Sequence, residues 1–406
     1  MSLTVEKLND DTTFLFAFAP HFAPAKQSHR FPGAFTILVD PWLNGHSSIL
    51  HPVFQISRHT TPPAIKSLAD LEEEPDLIII SQDKPDHCHR QTLCQLPKDT
   101  HTRILATPAA ANKIRAWKHF DPAIVHVMKP YVATKPADNL IRIEIPAYTS
   151  SSSSGEITVA NLPTKMDVTK LHNAIGITYR PPGSLLTALG GEHIHLSDMM
   201  SPQTSPGLRK TRSAAMLAPT DAPTPLVTPP ARTTSTSPPV HYPPNPTNSL
   251  PLTPPPDSPP KLQHTNTSRS LRQHTEKPIS IIYTPHGVAP AVLKPYVKHH
   301  LGPSDALPLT ALFHSVNVET NPWFMGGVVA RGAPGGLPIA HELAAKHWIS
   351  AHDEAKDNRG WATTWIKSRR YSIEDVKREL REAQGVEEGE TEVHLLALGQ
   401  MLRIHG

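Results

Sequence analysis

Between residues 201 and 277 the chain carries 18 prolines and 22 serines or threonines in 77 residues, with hardly an apolar run among them. Such a stretch cannot bury enough apolar surface to offset chain entropy, and proline supplies no backbone N–H for a helix or a sheet ladder. It is expected to be a disordered, partly polyproline-like insert. Any fold must then be built from the residues before 201 and after 277.

Those flanks read as short strands rich in β-branched residues and bounded by turn residues. Before the insert they are FTILV (35–39), LIII (77–80), RILA (103–106), IRIEI (141–145), ITVANL (157–162) and AIGITY (174–179); after it come ISIIY (279–283) and WIS (348–350). Helical stretches are expected near 91–96, 108–118, 290–300 and 338–346. A better marked helix follows Ser372, which can cap IEDVKRELREAQ, with Gly385 placed to end it. The alternation argues for an α/β fold, with the insert entering a loop between two core strands. The expected organisation is a first part of the domain over 1–200, a second part over 278–355 and a C-terminal helical and strand extension over 356–406.

Lys and Arg exceed Asp and Glu by only 39 to 36, so the chain lacks the charge bias of a dedicated nucleic-acid binder. Two cysteines, Cys88 and Cys94, make at most one disulfide and fit a reducing compartment. The N-terminal segment lacks a basic start followed by an apolar core, and no run reaches the ~18 apolar residues that span a bilayer. A cytoplasmic or nuclear protein without a membrane segment is expected.

Several apolar strands finish abruptly in Asp or His. FTILV runs into Asp40-Pro41-Trp42, LIII into Ser81-Gln82-Asp83-Lys84-Pro85-Asp86-His87, ISIIY into Thr284-Pro285-His286-Gly287, and WIS into Ala351-His352-Asp353. In α/β architectures the loops leaving one sheet edge share a crevice, so residues distant in sequence can meet there. Asp86, His87, His286 and His352 would supply one carboxylate and three imidazoles, a ligand set suited to zinc. Against this stands the common role of a lone histidine as a hydrogen-bonded core or surface residue, in a chain with 25 of them.

The order of these elements resembles the metallo-β-lactamase superfamily, in particular its branch similar to ascorbate-6-phosphate lactonases and to fungal proteins of the same type. The resemblance covers about 10–200 and 278–355 and implies a four-layer αβ/βα sandwich. The early strand ending in Asp looks like ILVDPWL, and the metal motif His-x-His-x-Asp-His looks like Gln82-Asp83-Lys84-Pro85-Asp86-His87. The later Asp turn falls on Pro285-His286-Gly287 and the last metal His on His352. The intermediate ligand position falls near Pro163-Thr164-Lys165, where no His occurs. The first metal site is thus replaced by Gln82, Lys84 and Lys165, while the second keeps Asp86, His87 and His352 and gains His286, a set for one divalent metal, zinc by chemistry. On this reading Lys84 and Lys165 hold anionic oxygen, Asp40 orients a ligand, and the chain hydrolyses a small anionic, lactone or phosphoester substrate. The alternative pairs Lys84 with Asp86 as a salt bridge. It leaves an inactive fold that works as an interaction protein through its insert.

Other candidates stand beside these. His87, Cys88, His89 and Cys94 lie close in sequence but match no zinc-finger spacing. His89 and Asp353 flank presumed ligands as proton carriers, and Asn173 lines the crevice. Trp323, Phe324 and Met325 either roof an apolar pocket or pack a long glycine-rich loop onto the body. Lys367, Arg369 and Arg370 read as a solvated basic face. In the insert, Ser201, Ser205, Thr224, Thr228, Ser237, Thr253 and Ser258 each precede proline, which offers sites to a proline-directed kinase or a segment for a protein partner, against a plain spacer.

Overall fold

The computed structural model describes residues 1–21, 23–24, 30–148, 150, 152–183, 277–384 and 391–406. The expected insert, apart from Lys277, and Gly385 lie outside the described residues. The first strands are β1 (Ser2–Lys7), β2 (Phe14–Ala19), β3 (Phe35–Val39), β4 (His46–Ile49), β5 (Gln55–Arg58), β6 (Leu77–Ile80), β7 (Arg103–Ala106) and β8 (Val125–Val127). They are followed by β9 (Leu140–Ile145), β10 (Gly155–Pro163), β11 (Asn173–Arg180), β12 (Ile279–Thr284), β13 (Ala311–His314), β14 (Val318–Thr320) and β15 (Val328–Arg331). The last are β16 (His347–Ser350), β17 (Asp357–Arg359), β18 (Lys367–Arg369), β19 (Glu392–His394) and β20 (Met401–His405). Six helices accompany them: α1 (Arg90–Leu93), α2 (Pro108–Ala116), α3 (Pro136–Asn139), α4 (Pro290–Tyr296), α5 (Gly332–Glu342) and α6 (Ile373–Gln384). None is long and apolar enough to cross a membrane.

Two seven-stranded sheets carry the fold, ordered β20-β1-β2-β3-β6-β7-β8 and β19-β16-β13-β12-β11-β10-β9. Each is antiparallel in one part and parallel in the other, the parallel runs being β3-β6-β7-β8 and β12-β13-β16-β19. Their facing sides meet in one apolar core, where Phe14 and Phe16 of the first sheet pack against Phe313 of the second. Leu93, Ala110 and Ile114 of α1 and α2 cover the outer face of the first sheet, and Tyr296, Ile339 and Val376 of α4, α5 and α6 that of the second. This is the four-layer αβ/βα sandwich that the resemblance implies.

The strands read from the sequence coincide with β3, β6, β7, β9, β10, β11, β12 and β16. The segment after residue 355 contributes β19 and β20, one edge strand to each sheet. Ser372 and Asp375 cap α6 reciprocally, with Asp375 N donating to Ser372 Oγ at 3.0 Å and Ser372 N to Asp375 Oδ2 at 3.4 Å. One helix departs from expectation. α5 begins at Gly332, inside a glycine- and proline-rich stretch that reads as loop. Tertiary packing overrides propensity there, because Gly336 lies against the Trp348 indole, where a Cβ would overlap the ring. Gly336→Ala is accordingly expected to cost about 1–3 kcal/mol of unfolding free energy through overpacking. The check is a lower urea midpoint at unchanged slope; an unshifted midpoint contradicts this packing.

Candidate metal centre

β3, β6, β12 and β16 deliver their outgoing loops to one edge of the sandwich, and Asp40, His87, His286 and His352 meet there. Two of the four sit in left-handed backbone, Asp40 at φ +43° and His352 at φ +66°. Non-glycine residues hold such angles only where the surroundings over-determine them. Asp40 is pinned on every side. Its fully buried carboxylate accepts Ser81 N at 2.7 Å, the Ser81 hydroxyl, the Tyr283 hydroxyl at 2.9 Å and His87 Nδ1 at 2.7 Å.

The outer nitrogens of His87 and His286 are committed as donors, and that of His352 lies between the Asp11 carboxylate and the Lys356 ammonium, 3.4 Å from the latter. His87 Nδ1 donates to Asp40 and His286 Nδ1 to the Val329 carbonyl at 2.9 Å, while His352 Nδ1 lies 2.9 Å from Asp11 Oδ1. Carbonyls and carboxylates only accept, so the contacts of His87 and His286 fix their tautomers and leave each Nε2 with its lone pair unless it is protonated. One ligand atom from each ring lies within 4.8 Å of the others, and His87 Nε2 is 3.0 Å from His286 Nε2. Two lone pairs cannot face each other at that distance without positive charge between them, whether a proton or a metal ion.

The surrounding charge has the matching sign. Asp11, Asp40 and Asp86 bring three carboxylates, and Lys356 brings an ammonium, 2.7 Å from Asp11 Oδ2 and 3.9 Å from Asp86 Oδ2. Two negative charges are left for the histidines and any cation to balance. Asp86 Oδ1 is buried without a hydrogen-bond partner, an acceptor turned inward. Burial disfavours charge on His87, yet Asp40 and Asp86 outweigh it and hold its pKa above the ordinary value. Burial, reinforced by His352 and His87, pushes His286 well below its ordinary value. Asp11 is held well below the carboxylate range because His352 and Lys356 outweigh its burial. The trio, its anchored outer nitrogens and the carboxylate excess fit a divalent ion.

The structure sorts the residues expected from sequence. His87, His286 and His352 form one group, whereas Asp86 belongs to an adjoining group with Asp11 and His352. Lys84 is half-buried, and among the described residues its side chain has no ion-pair partner; the ammonium beside Asp86 is that of Lys356. Lys165 is exposed on the loop between β10 and β11. Gln82 donates to the Leu171 carbonyl at 2.9 Å, and Asn173 Nδ2 to the Ser81 carbonyl at 2.7 Å, which fixes the start of the His87 loop. His89 caps α1 by accepting Thr92 N, burial taking its pKa down to about 4. Cys88 is buried and pushed up to about 12, and neither cysteine joins His89 in any metal-competent group among the described residues. Asp353 accepts Val316 N and Asn317 N, both at 2.8 Å, and so ties down the loop after β13. Trp323 and Phe324 are 87% and 60% exposed; Phe324 lies edge-on between the Trp323 and Trp365 rings.

Four contributors escape sequence reading. Asp11 lies in Asn9-Asp10-Asp11-Thr12-Thr13, which reads as an ordinary hairpin turn. Lys356 carries no motif, and Tyr283 reads as the last residue of a buried strand. His172 pairs through its backbone with Thr164, at the place where the resemblance lacks a histidine. Its ring nitrogens lie 2.9 Å from the Gly287 carbonyl and 3.0 Å from the Val328 carbonyl, bracing the two segments that hold His286. Gly287 itself, at φ +79°, has no room for a Cβ against His314 and Arg331.

Asp11→Asn removes the nearer partner of a buried ammonium and leaves Lys356 with only the more distant Asp86, at 3.9 Å. It is expected to cost about 3–5 kcal/mol of unfolding free energy, and Asp11→Asn with Lys356→Met to regain much of it. Urea denaturation of both variants is the check; equal losses contradict the pairing.

Among solved structures the chain is similar to an isothiocyanate hydrolase from Delia radicum gut bacteria, at 13% identity over 98% of each chain with a TM-score of 0.44. It is also similar to a metallo hydrolase from the archaeon Ignicoccus hospitalis, at 10% identity over 100% of each chain with a TM-score of 0.38. A third is the metallo-beta-lactamase fold protein YhfI from Bacillus subtilis, at 10% identity over 99% of this chain and 100% of that one, with a TM-score of 0.41. No family model and no curated protein sequence matches the chain.

Proposed function

We propose that the chain is a metal-dependent hydrolase of a small anionic lactone, ester or phosphoester, holding one divalent ion on His87, His286 and His352. The observation that carries this is the convergence of three buried imidazoles, two of them with the outer nitrogen already committed as a donor. An all-imidazole set with carboxylates behind it suits zinc. When bound, such an ion supplies Lewis acidity, bringing a water within reach of deprotonation near neutral pH and polarising a carbonyl or phosphoryl oxygen.

The chain's own residues supply the rest. Asp40, Asp11 and the Val329 carbonyl orient the three rings. Asp86, whose Oδ1 has no other hydrogen-bond partner, accepts the proton of the attacking water. Lys356 neutralises Asp11 and presents its remaining charge to an anionic oxygen of the substrate, with Lys84 and Lys165 adding positive potential on approach. The side chains of Asp86 and Lys356 are 18% and 11% exposed, so the substrate comes from their side of the cluster.

One observation favours a second reading. His87, His286 and His352 are 0%, 2% and 8% exposed, and closed ligand sets are the habit of structural rather than catalytic ions. The ion would then hold the fold together, and the chain would act as an interaction protein through its proline-rich insert.

Protein purified without chelators or a metal-binding tag separates these readings. Each of His87→Ala, His286→Ala and His352→Ala is expected to carry one ion per chain fewer than the parent by elemental analysis. In a screen of lactones and phosphoesters, Asp86→Ala should lose about 100-fold or more in kcat while keeping the ion. Lys84→Ala and Lys165→Ala should raise KM, and deletion of 201–277 should leave turnover intact. Equal metal content in parent and variants contradicts the metal centre. A loaded protein that turns over nothing in the screen favours the second reading.

A further inference from the structure

At the margin of the second sheet, away from the loops that carry the histidine trio, His347, Glu392 and His394 bring metal-ligating atoms together. The placement follows from strand pairing. β16 and the edge strand β19 are parallel, with His347 opposite Glu392 and Ile349 opposite His394. Alternation along the strands puts all three side chains on one face of the sheet. They lie at the start of β16, whereas His352 follows its far end.

The distances are those of a chelating set. His347 Nδ1 is 3.1 Å from His394 Nε2, and Glu392 Oε2 is 3.4 Å from each of those nitrogens. A tetrahedral ion with bonds of about 2.0–2.1 Å requires ligand atoms separated by about 3.3 Å. The three edges therefore match one face of a tetrahedron whose fourth corner is open to water. Solvent reaches the group, since the imidazoles are 17% and 19% exposed and the carboxylate 67%. Lys346 and Lys377 are the nearby cations that oppose an added positive charge, and Glu392 offsets one of them.

We propose that His347, Glu392 and His394 form a second cation site, of the borderline class to which zinc, nickel and copper(II) belong, which clips the edge strand β19 to β16. Two imidazoles and one carboxylate select these ions over calcium or magnesium, which prefer all-oxygen shells. Among the described residues β19 is the edge strand and pairs with β16, so a bridge between them ties the edge to the sheet. The site is independent of the hydrolase reading and shares no residue with the trio.

Equilibrium dialysis of full-length protein against micromolar zinc, followed by elemental analysis, tests it. The parent is expected to hold one more zinc per chain than His347→Ala or His394→Ala, with unchanged far-UV circular dichroism. Glu392→Gln, a substitution at an exposed side chain, should weaken the same ion at least tenfold. His286→Ala should lose its own ion and keep this one, so the two sites fail separately. Equal zinc in the parent and both histidine variants overturns the proposal, as does binding that appears only at millimolar zinc.

Discussion

Two imidazole nitrogens 3.0 Å apart, each on a ring whose other nitrogen is already a donor, demand a cation between them. Much of the local architecture can be traced to that demand. Asp40 bends into left-handed backbone and gathers four donors so that His87 stays fixed in one tautomer. The β1–β2 turn carries Asp11 to His352 from the far end of the chain. His172 braces the carbonyl-bearing segment that holds His286. None of these contacts touches a substrate; each decides which way a nitrogen points.

The same arrangement explains how the cluster stays electrically balanced. Three carboxylates surround the trio, and the Lys356 ammonium answers one of them. It stands between Asp11 and Asp86 with its charge over the Trp42 ring. An ammonium held this way is paired rather than free, so its repulsion of a cation on the trio is largely cancelled by Asp11. The remaining excess of two negative charges is what a dication neutralises. A fixed Lys356 therefore works with a metal on the trio.

Much of the fold was legible because it is written in apolar runs with abrupt polar ends. FTILV, LIII, ISIIY and WIS announce both a buried strand and the residue that leaves it, and that is how Asp40, His87, His286 and His352 could be named together. What stayed hidden depends on tertiary contact alone. Asp11 looks like any turn aspartate until β1 and β2 bring it under His352, and Lys356 has no spacing relation to the residue it pairs with. The helix at Gly332 was hidden for the opposite reason: its glycines and prolines signal a break, while Trp348 rewards the missing side chain at Gly336. The two flanks of the insert lie side by side, Tyr179 pairing with Ile279, at the end of β11 opposite Asn173.

A metal ion and a proton are the two cations that could sit between His87 and His286, and the proposed function requires the metal. Crystals of protein purified without chelators, measured across the zinc absorption edge, test this most directly. An anomalous peak within bonding distance of ring nitrogens of His87, His286 and His352 is expected. The absence of a peak there, with His87 and His286 still in direct nitrogen contact, would show that a proton suffices and contradict the account.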